Sequence, residues 1–363
     1  MNVAEKAFLD FLDGSTPDFE TTLSGRTRPL SSIDMADIYI HAALLSTFMG
    51  FIKEQFWLQK KQDATKPKPM EFGEFMAPFF LDELASVLFL KEFLIVSGPK
   101  NIQKILHAAE SAECQVLDQL SQRSNVDKKE FAVRSLQEMN KHFLQEESRQ
   151  DGRLQSLGHK GPELYRTFDG IDRILDLKYR LEKNATVDYH CKERLYQGAG
   201  IGVQSGYSSI LLAMHALQLE AGSRIIDLGS GFGRVGLVCS LLRPDVEFIG
   251  YEYVAHRVQI SNHASQTLGL EKSLLFVIQD LSLETFRIPD ADVYYLYDPF
   301  TQETYQHVLK QIIEVSQRKT IRVVTKGNAR DWLMDLAREH SWPAPLLIDE
   351  GNLCVFSLER SGR

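Results

Sequence analysis

The chain has 363 residues, 44% hydrophobic and 25% charged, with a formal net charge of -8. That length suits about two domains, and the composition is that of a globular protein, not a disordered or collagen-like one. The acidic balance and the lack of a basic tail argue against a nucleic-acid partner, and four scattered cysteines without a CxxC pair exclude a zinc knuckle and a disulfide scaffold.

The cysteines, Cys114, Cys191, Cys239 and Cys354, are expected to be reduced, buried thiols in a cytoplasmic protein. The start, MNVAEKAFLDFLDG, lacks a basic residue run before an apolar core, so no secretory signal is expected. Helical spacing of apolar residues follows. Ser31-Ser32-Ile33-Asp34 caps a helix to about Lys61, and the proline-bearing DATKPKPM interrupts the chain. A second helix is predicted from Phe79 to Val96, stopping at Ser97-Gly98-Pro99-Lys100. Asn101 caps a third to about Gln122, and Val126 to Gln150 makes a fourth. Gly158, Gly161 and Pro162 break the pattern before a last helical stretch, Glu163 to Lys183.

Two of these segments are apolar. The run from Ile38, IYIHAALLSTFMGFI, is too short to cross a bilayer, which takes roughly 20 residues. The run from Phe79 carries Asp82, Glu83, Lys91 and Glu92. Both are expected to be core helices, with no membrane partner. The sequon at Asn184-Ala185-Thr186 has no meaning without export. Residues 1–182 are therefore expected to form a helical domain that covers a pocket of the following domain, recruits a macromolecule or makes a homodimer.

From about Val187 short β-rich runs alternate with helical ones: SRIIDL, VEFIGYEY, LLFVIQD, VYYLYD and TIRVVTK, with helices from Arg234, Ala255, Glu303 and Ala329. Alternation of this kind makes a parallel sheet with crossover helices. PLLIDEGNLCVFSLER reads as an added antiparallel hairpin turning at Glu350-Gly351-Asn352. The expected fold of 183–363 is α/β, a doubly wound, mostly parallel seven-stranded sheet of Rossmann-like type. No internal repeat is present.

The run from Ile225, IIDLGSGFGRVG, admits two readings. As a dinucleotide fingerprint it uses Gly231, Gly233 and Gly236, but Gly231 comes late after a strand ending near Leu228. Starting at Gly229 puts Arg234 where close packing tolerates only a small residue. The other unit is Asp227 with Gly229, Ser230, Gly231 and Gly233: an acid ends the strand and glycines alternate. A carboxylate at that place suits a cationic amino-acid ligand, and a pyrophosphate would avoid it. Bare positions let the backbone approach the ligand. The second strand ends in Glu252, 25 residues on, followed by Tyr253; the third ends in Asp280-Leu281; the fourth ends in Tyr297-Asp298-Pro299-Phe300.

This order resembles the motifs of class I S-adenosylmethionine-dependent methyltransferases. The resemblance covers about residues 195–330. It implies S-adenosyl-L-methionine as cofactor, bound by Asp227, Gly229, Ser230, Gly231, Gly233, Arg234, Glu252, Tyr253, Asp280, Leu281 and Asp298. Glu252 would take the ribose hydroxyls, and Asp280 the adenine amino group. A narrower resemblance, on Ser205-Gly206-Tyr207, Arg234, Gly250-Tyr251-Glu252 and Leu296 to Phe300, is to little-characterised bacterial class I methyltransferases. Class I histone-lysine methyltransferases share the loop–helix–motif order. The chain departs from the Asn/Asp-Pro-Pro-aromatic pattern of many amino methyltransferases by having one proline.

Transfer from a sulfonium needs alignment more than acid–base chemistry. Asp298 and Tyr207 are the catalytic candidates, with Tyr297, Lys326 and Asn328 on the same predicted edge. His190 and Cys191 lack further metal ligands, so no metal is expected. Ser205-Gly206-Tyr207 is not a nucleophile elbow, and Arg318, Lys319 and Arg322 read as a solvated helix end. The acceptor is not legible; a protein side chain or small molecule is favoured over nucleic acid. A nicotinamide oxidoreductase and a non-catalytic scaffold are the competing readings.

Overall fold

The computed structural model describes residues 1–16, 19, 29–64, 69–81, 84–153, 164, 166–179, 204–297, 300–327, 329–349, 351 and 353–358, with backbone only at 149–153. The chain divides into two compact units. The first holds Met1–Met139 and Arg153–Ile174, and the second Asn140–Gly152 and Leu175–Arg363. The border drawn from sequence at 182/183 lies outside the described residues, as do the sequon, His190 and Cys191.

The first unit contains α1 (Val3–Leu12), α2 (Ser32–Asp63), α3 (Phe72–Met76), α4 (Lys91–Ser97), α5 (Ile102–Ser121) and most of α6 (Asn125–Arg153). α2 starts on a capping box in which Ser31 and Asp34 satisfy each other's backbone N–H groups. The helix is longer than its apolar run suggests. By length and composition it could cross a bilayer, yet 67% of its most apolar window is buried inside the protein. That burial is the pattern of a core helix.

The helix expected over Phe79–Val96 is a 3-10 turn, Ala85–Leu90, followed by α4. Leu84, Val87 and Leu90 are all buried, and the backbone leaves helical geometry at Val87, with φ -115° and ψ 25°. The helix expected over Glu163–Lys183 is also replaced in its described part. Residues 166–179 form turns and a 3-10 piece, Asp169–Arg173, and Asp176 takes a φ of 56° that no helix continues. Cys239 and Cys354 are buried as expected, but Cys114 is exposed on α5.

The second unit is built on α7 (Tyr207–Leu217), β1 (Arg224–Leu228), α8 (Arg234–Leu242), β2 (Glu247–Glu252), α9 (Ala255–Thr267), β3 (Leu274–Ile278), β4 (Val293–Tyr297), α10 (Gln302–Ser316), β5 (Ile321–Lys326), α11 (Ala329–Glu339), β6 (Leu346–Ile348) and β7 (Leu353–Leu358). The seven strands lie in the order β3-β2-β1-β4-β5-β7-β6. β1 to β5 pair in parallel, and β7 runs antiparallel to both β5 and β6.

Alternate residues of the central strands serve the two faces. Ile226, Leu228, Tyr294, Leu296 and Val323 pack with Tyr305, Val308 and Ile312 of α10 and Leu333 of α11. On the other face α8 approaches β2 and β3 at Gly236. The chain order reverses between β1 and β4, which opens a crevice at the carboxyl ends of the strands.

A side chain at Gly236 has nowhere to go. Its Cβ would lie 2.7 Å from Phe248 Cε1 and 2.8 Å from Leu274 Cδ1. Gly236→Leu is expected to cost about 1–3 kcal/mol in urea unfolding; an unchanged midpoint would contradict the packing of α8 on the sheet.

Candidate active site

β1 delivers Asp227 to the carboxyl edge, and the glycine loop turns immediately after it. The loop is stitched to β2: the N–H groups of Gly229 and Ser230 both donate to the Tyr251 carbonyl, at 2.9 and 2.8 Å. Gly229, Gly231 and Gly233 have φ of 97°, 54° and 83°. The two later glycines are bare for different reasons. A Cβ at Gly233 would strike the Phe276 ring at 2.6 Å, whereas one at Gly231 would meet nothing within 4 Å. Gly233 is a packing glycine, and Gly231 borders open space.

Asp227 is 2% exposed, and its Oδ2 has no hydrogen-bond partner among the described residues. The Ser230 hydroxyl is likewise buried without a partner among them. Burial, and then the nearby Glu252, hold the Asp227 carboxyl well above the usual carboxylate range. A cation brought beside such a group would favour its ionisation, and an anion would oppose it.

Glu252 ends β2 and is buried. Its Oε2 accepts from the Gly231 N–H at 2.8 Å, and its Oε1 accepts from the Val254 N–H at 2.9 Å. Arg257, in the first turn of α9, donates from Nη1 to Oε1 at 3.4 Å. Sequence reasoning missed Arg257; the only signal was a basic residue five positions after the acid. Tyr253 is half-buried beside Glu252. Asp280 Oδ1 caps its own turn, accepting from the Ser282 N–H at 2.9 Å and the Ser282 hydroxyl at 2.5 Å. Leu281 is part of the hydrophobic cluster with Tyr251 and Phe286.

Arg234, the first residue of α8, is 5% exposed. Its Nε donates to Tyr179 Oη at 3.2 Å and its Nη1 to the Ser205 carbonyl at 3.1 Å. Its guanidinium lies 4.7 Å from the Tyr207 ring centre and 5.4 Å from that of Tyr179. Tyr207 opens α7 and is buried. Arg234 thus braces α7 and the 175–179 segment against the glycine loop. Lys326 does stand at the carboxyl edge of β5, with Nζ 2.8 Å from Ser209 Oγ, 3.4 Å from Asp349 and 5.5 Å from the Tyr297 ring centre. Asp298 and Asn328 lie outside the described residues. A groove of about 590 Å³ between α10 and α11, lined in part by Tyr305, Leu309 and Trp332, shares no residue with this edge.

The antiparallel β7 set between β5 and β6 separates this sheet from the all-parallel dinucleotide order, even though Gly236 packs as that fingerprint's third glycine does. The second unit has the class I methyltransferase fold. No family model matches the chain. Over 80 residues the chain is 34% identical to ribosomal RNA small subunit methyltransferase G of Desulfotalea psychrophila, a match spanning 19% of this chain and 37% of that relative.

Two solved structures superpose loosely on this methyltransferase fold. An RNA methyltransferase from Salinibacter ruber, in complex with S-adenosyl-L-homocysteine, is 15% identical with a TM-score of 0.35, covering 44% of this chain and 97% of the other. The precorrin-6y C5,15-methyltransferase of Geobacter metallireducens is 14% identical with a TM-score of 0.34, covering 44% and 90%. The strand order, not these superpositions, defines the fold.

The sequence relative overturns the expectation that nucleic acid is disfavoured, since by its name it is a ribosomal RNA enzyme. Net charge misled because it sums the whole chain, whereas a phosphate backbone senses charge within about 10 Å.

The raised pKa of Asp227 has a consequence for stability. Folding holds the proton on this carboxyl, so its contribution is complete below the ordinary carboxylate range and is lost as pH climbs through the raised value. Asp227→Asn is expected to raise ligand-free stability near pH 8 by about 1 kcal/mol or more, with a smaller gain at pH 5. Thermal melts at the two pH values measure this; a variant less stable than wild type at pH 8 would overturn it.

Proposed function

We propose that the second unit is the methyl-transfer domain of an S-adenosylmethionine-dependent methyltransferase, and that its acceptor is RNA. The observation that carries the donor is Asp227: a buried carboxylate oxygen without a described partner, beside a loop that is open at Gly231. Ionising such a group without a partner is costly, which is why its pKa is raised. A ligand whose amino-acid end bears an ammonium removes that cost, and a pyrophosphate would increase it.

The remaining donor groups fit the same ligand. Oε2 of Glu252 accepts one backbone N–H and has a further lone pair for a ribose hydroxyl, while Oε1 accepts from both the Val254 N–H and Arg257. The N-terminus of α8, with Gly229, Ser230, Gly233 and Arg234 around it, suits the ligand's carboxylate. Tyr253, Asp280 and Leu281 follow in the order expected for the adenine end. S-adenosylmethionine supplies a methyl group already activated by its sulfonium. The chain's own work is therefore alignment and the exclusion of water. Tyr207 and Tyr297 shape the approach to the carboxyl edge, and Asp298 is the residue proposed to touch the acceptor. The acceptor class rests on the sequence relative, whose name assigns it to ribosomal RNA.

Calorimetry with S-adenosylhomocysteine and NADH tests the donor. Wild-type protein is expected to bind the former and not the latter. Gly231→Arg fills the open space and is expected to abolish binding, and Glu252→Ala to weaken it about 10- to 100-fold. Binding of NADH alone, or both variants binding like wild type, would overturn the donor assignment. Tritiated S-adenosylmethionine offered with total RNA, protein extract and metabolites tests the acceptor. Label is expected in RNA; label confined to protein or metabolites would overturn RNA and leave the donor standing.

A further inference from the structure

Tyr179 belongs to none of the motifs that mark the glycine loop or the strand ends. It comes from the short segment Leu175–Tyr179 that precedes the α/β alternation, yet it reaches the loop. Its ring centre is 4.7 Å from that of Phe232, edge to face, and Phe232 is the residue between Gly231 and Gly233. Its hydroxyl accepts from Arg234 Nε at 3.2 Å. The same guanidinium lies over both the Tyr179 and Tyr207 rings, so two tyrosines remote in sequence are held by one buried cation. The segment also meets α9 at Asp176, 3.5 Å from His263, and Asp176 pairs with Lys178 within the segment at 3.0 Å.

We infer that Tyr179 is a donor-site residue: its ring walls the glycine loop beside the N-terminus of α8, and Arg234 is the positioning residue that sets it. This rests on the donor reading of that loop. The chemistry is complementary. Asp227 offers a carboxylate to an ammonium, the end of α8 offers N–H groups to a carboxylate, and the paired rings of Tyr179 and Phe232 give the loop between them a rigid apolar wall. A half-buried ring packed on Phe232, the residue after Gly231, also shields that side of the loop from water.

The test compares affinity for S-adenosylhomocysteine and melting temperature across full-length variants. Tyr179→Ala is expected to weaken binding about tenfold. Tyr179→Phe keeps the ring, loses the hydrogen bond to Arg234 and is expected to stay within about threefold of wild type. Asp176→Asn loosens the segment without touching the ring and keeps a residue type that tolerates positive φ. It is expected to bind within about twofold of wild type, and all three variants are expected to melt close to wild type. Unaltered binding by Tyr179→Ala would overturn this inference alone. So would an equal loss in Asp176→Asn, because order in the segment and not the ring would then be responsible. Wild-type protein that binds no S-adenosylhomocysteine would overturn the donor reading and this inference with it.

Discussion

A carboxylate buried at the end of β1, with one oxygen that no described group satisfies, is the constraint around which the second unit is organised. Asp227 sits where β1, β2 and β4 are all paired, so it cannot move toward water without breaking the ladder. Glu252 stands close enough to push its proton affinity further up. Two acids at neighbouring strand ends are a poor way to stabilise a fold and a good way to hold a cation. Stability forgone at a site of this sort is a common cost of function.

The glycine loop follows from that arrangement. Its amides are used twice, first to tie Gly229 and Ser230 to β2, then to place Gly231 on Glu252. Glu252 is thereby both a ligand candidate and a strut, and Arg257 keeps its charge partly neutralised within the protein. On the other side Arg234 holds Ser205, Tyr207 and Tyr179. The carboxyl edge is thus bounded by groups from distant stretches of chain, all fixed by buried polar contacts.

Much of this was legible in one dimension. The five parallel strands and their helices read directly from alternation, since a strand buried on both faces is a short apolar run. Asp227, Gly231 and Glu252 announced themselves by position, each at a strand end or in the loop after it. Other residues were silent. Tyr179 and Arg257 have no motif, because what brings them to this edge is proximity to Arg234 and Glu252 in space. The helix expected over Phe79–Val96 is interrupted by a 3-10 stretch with a non-helical backbone at Val87, a break that apolar spacing does not announce. Net charge failed as a guide to the partner because a sum over the whole chain says nothing of a local surface.

Local sequence settled what depends on neighbours along the chain: the elements of the second unit, the glycines where φ turns positive, and the acids at the strand ends. Tertiary structure alone decided the strand order, in which the expected hairpin joins the sheet through β7 beside β5, the choice of Gly233 for packing and Gly231 for open space, and the cage around Arg234. Those three depend on which residues the sheet brings together from far apart. A sequence records spacing; it does not record the distance between Tyr179 and Phe232.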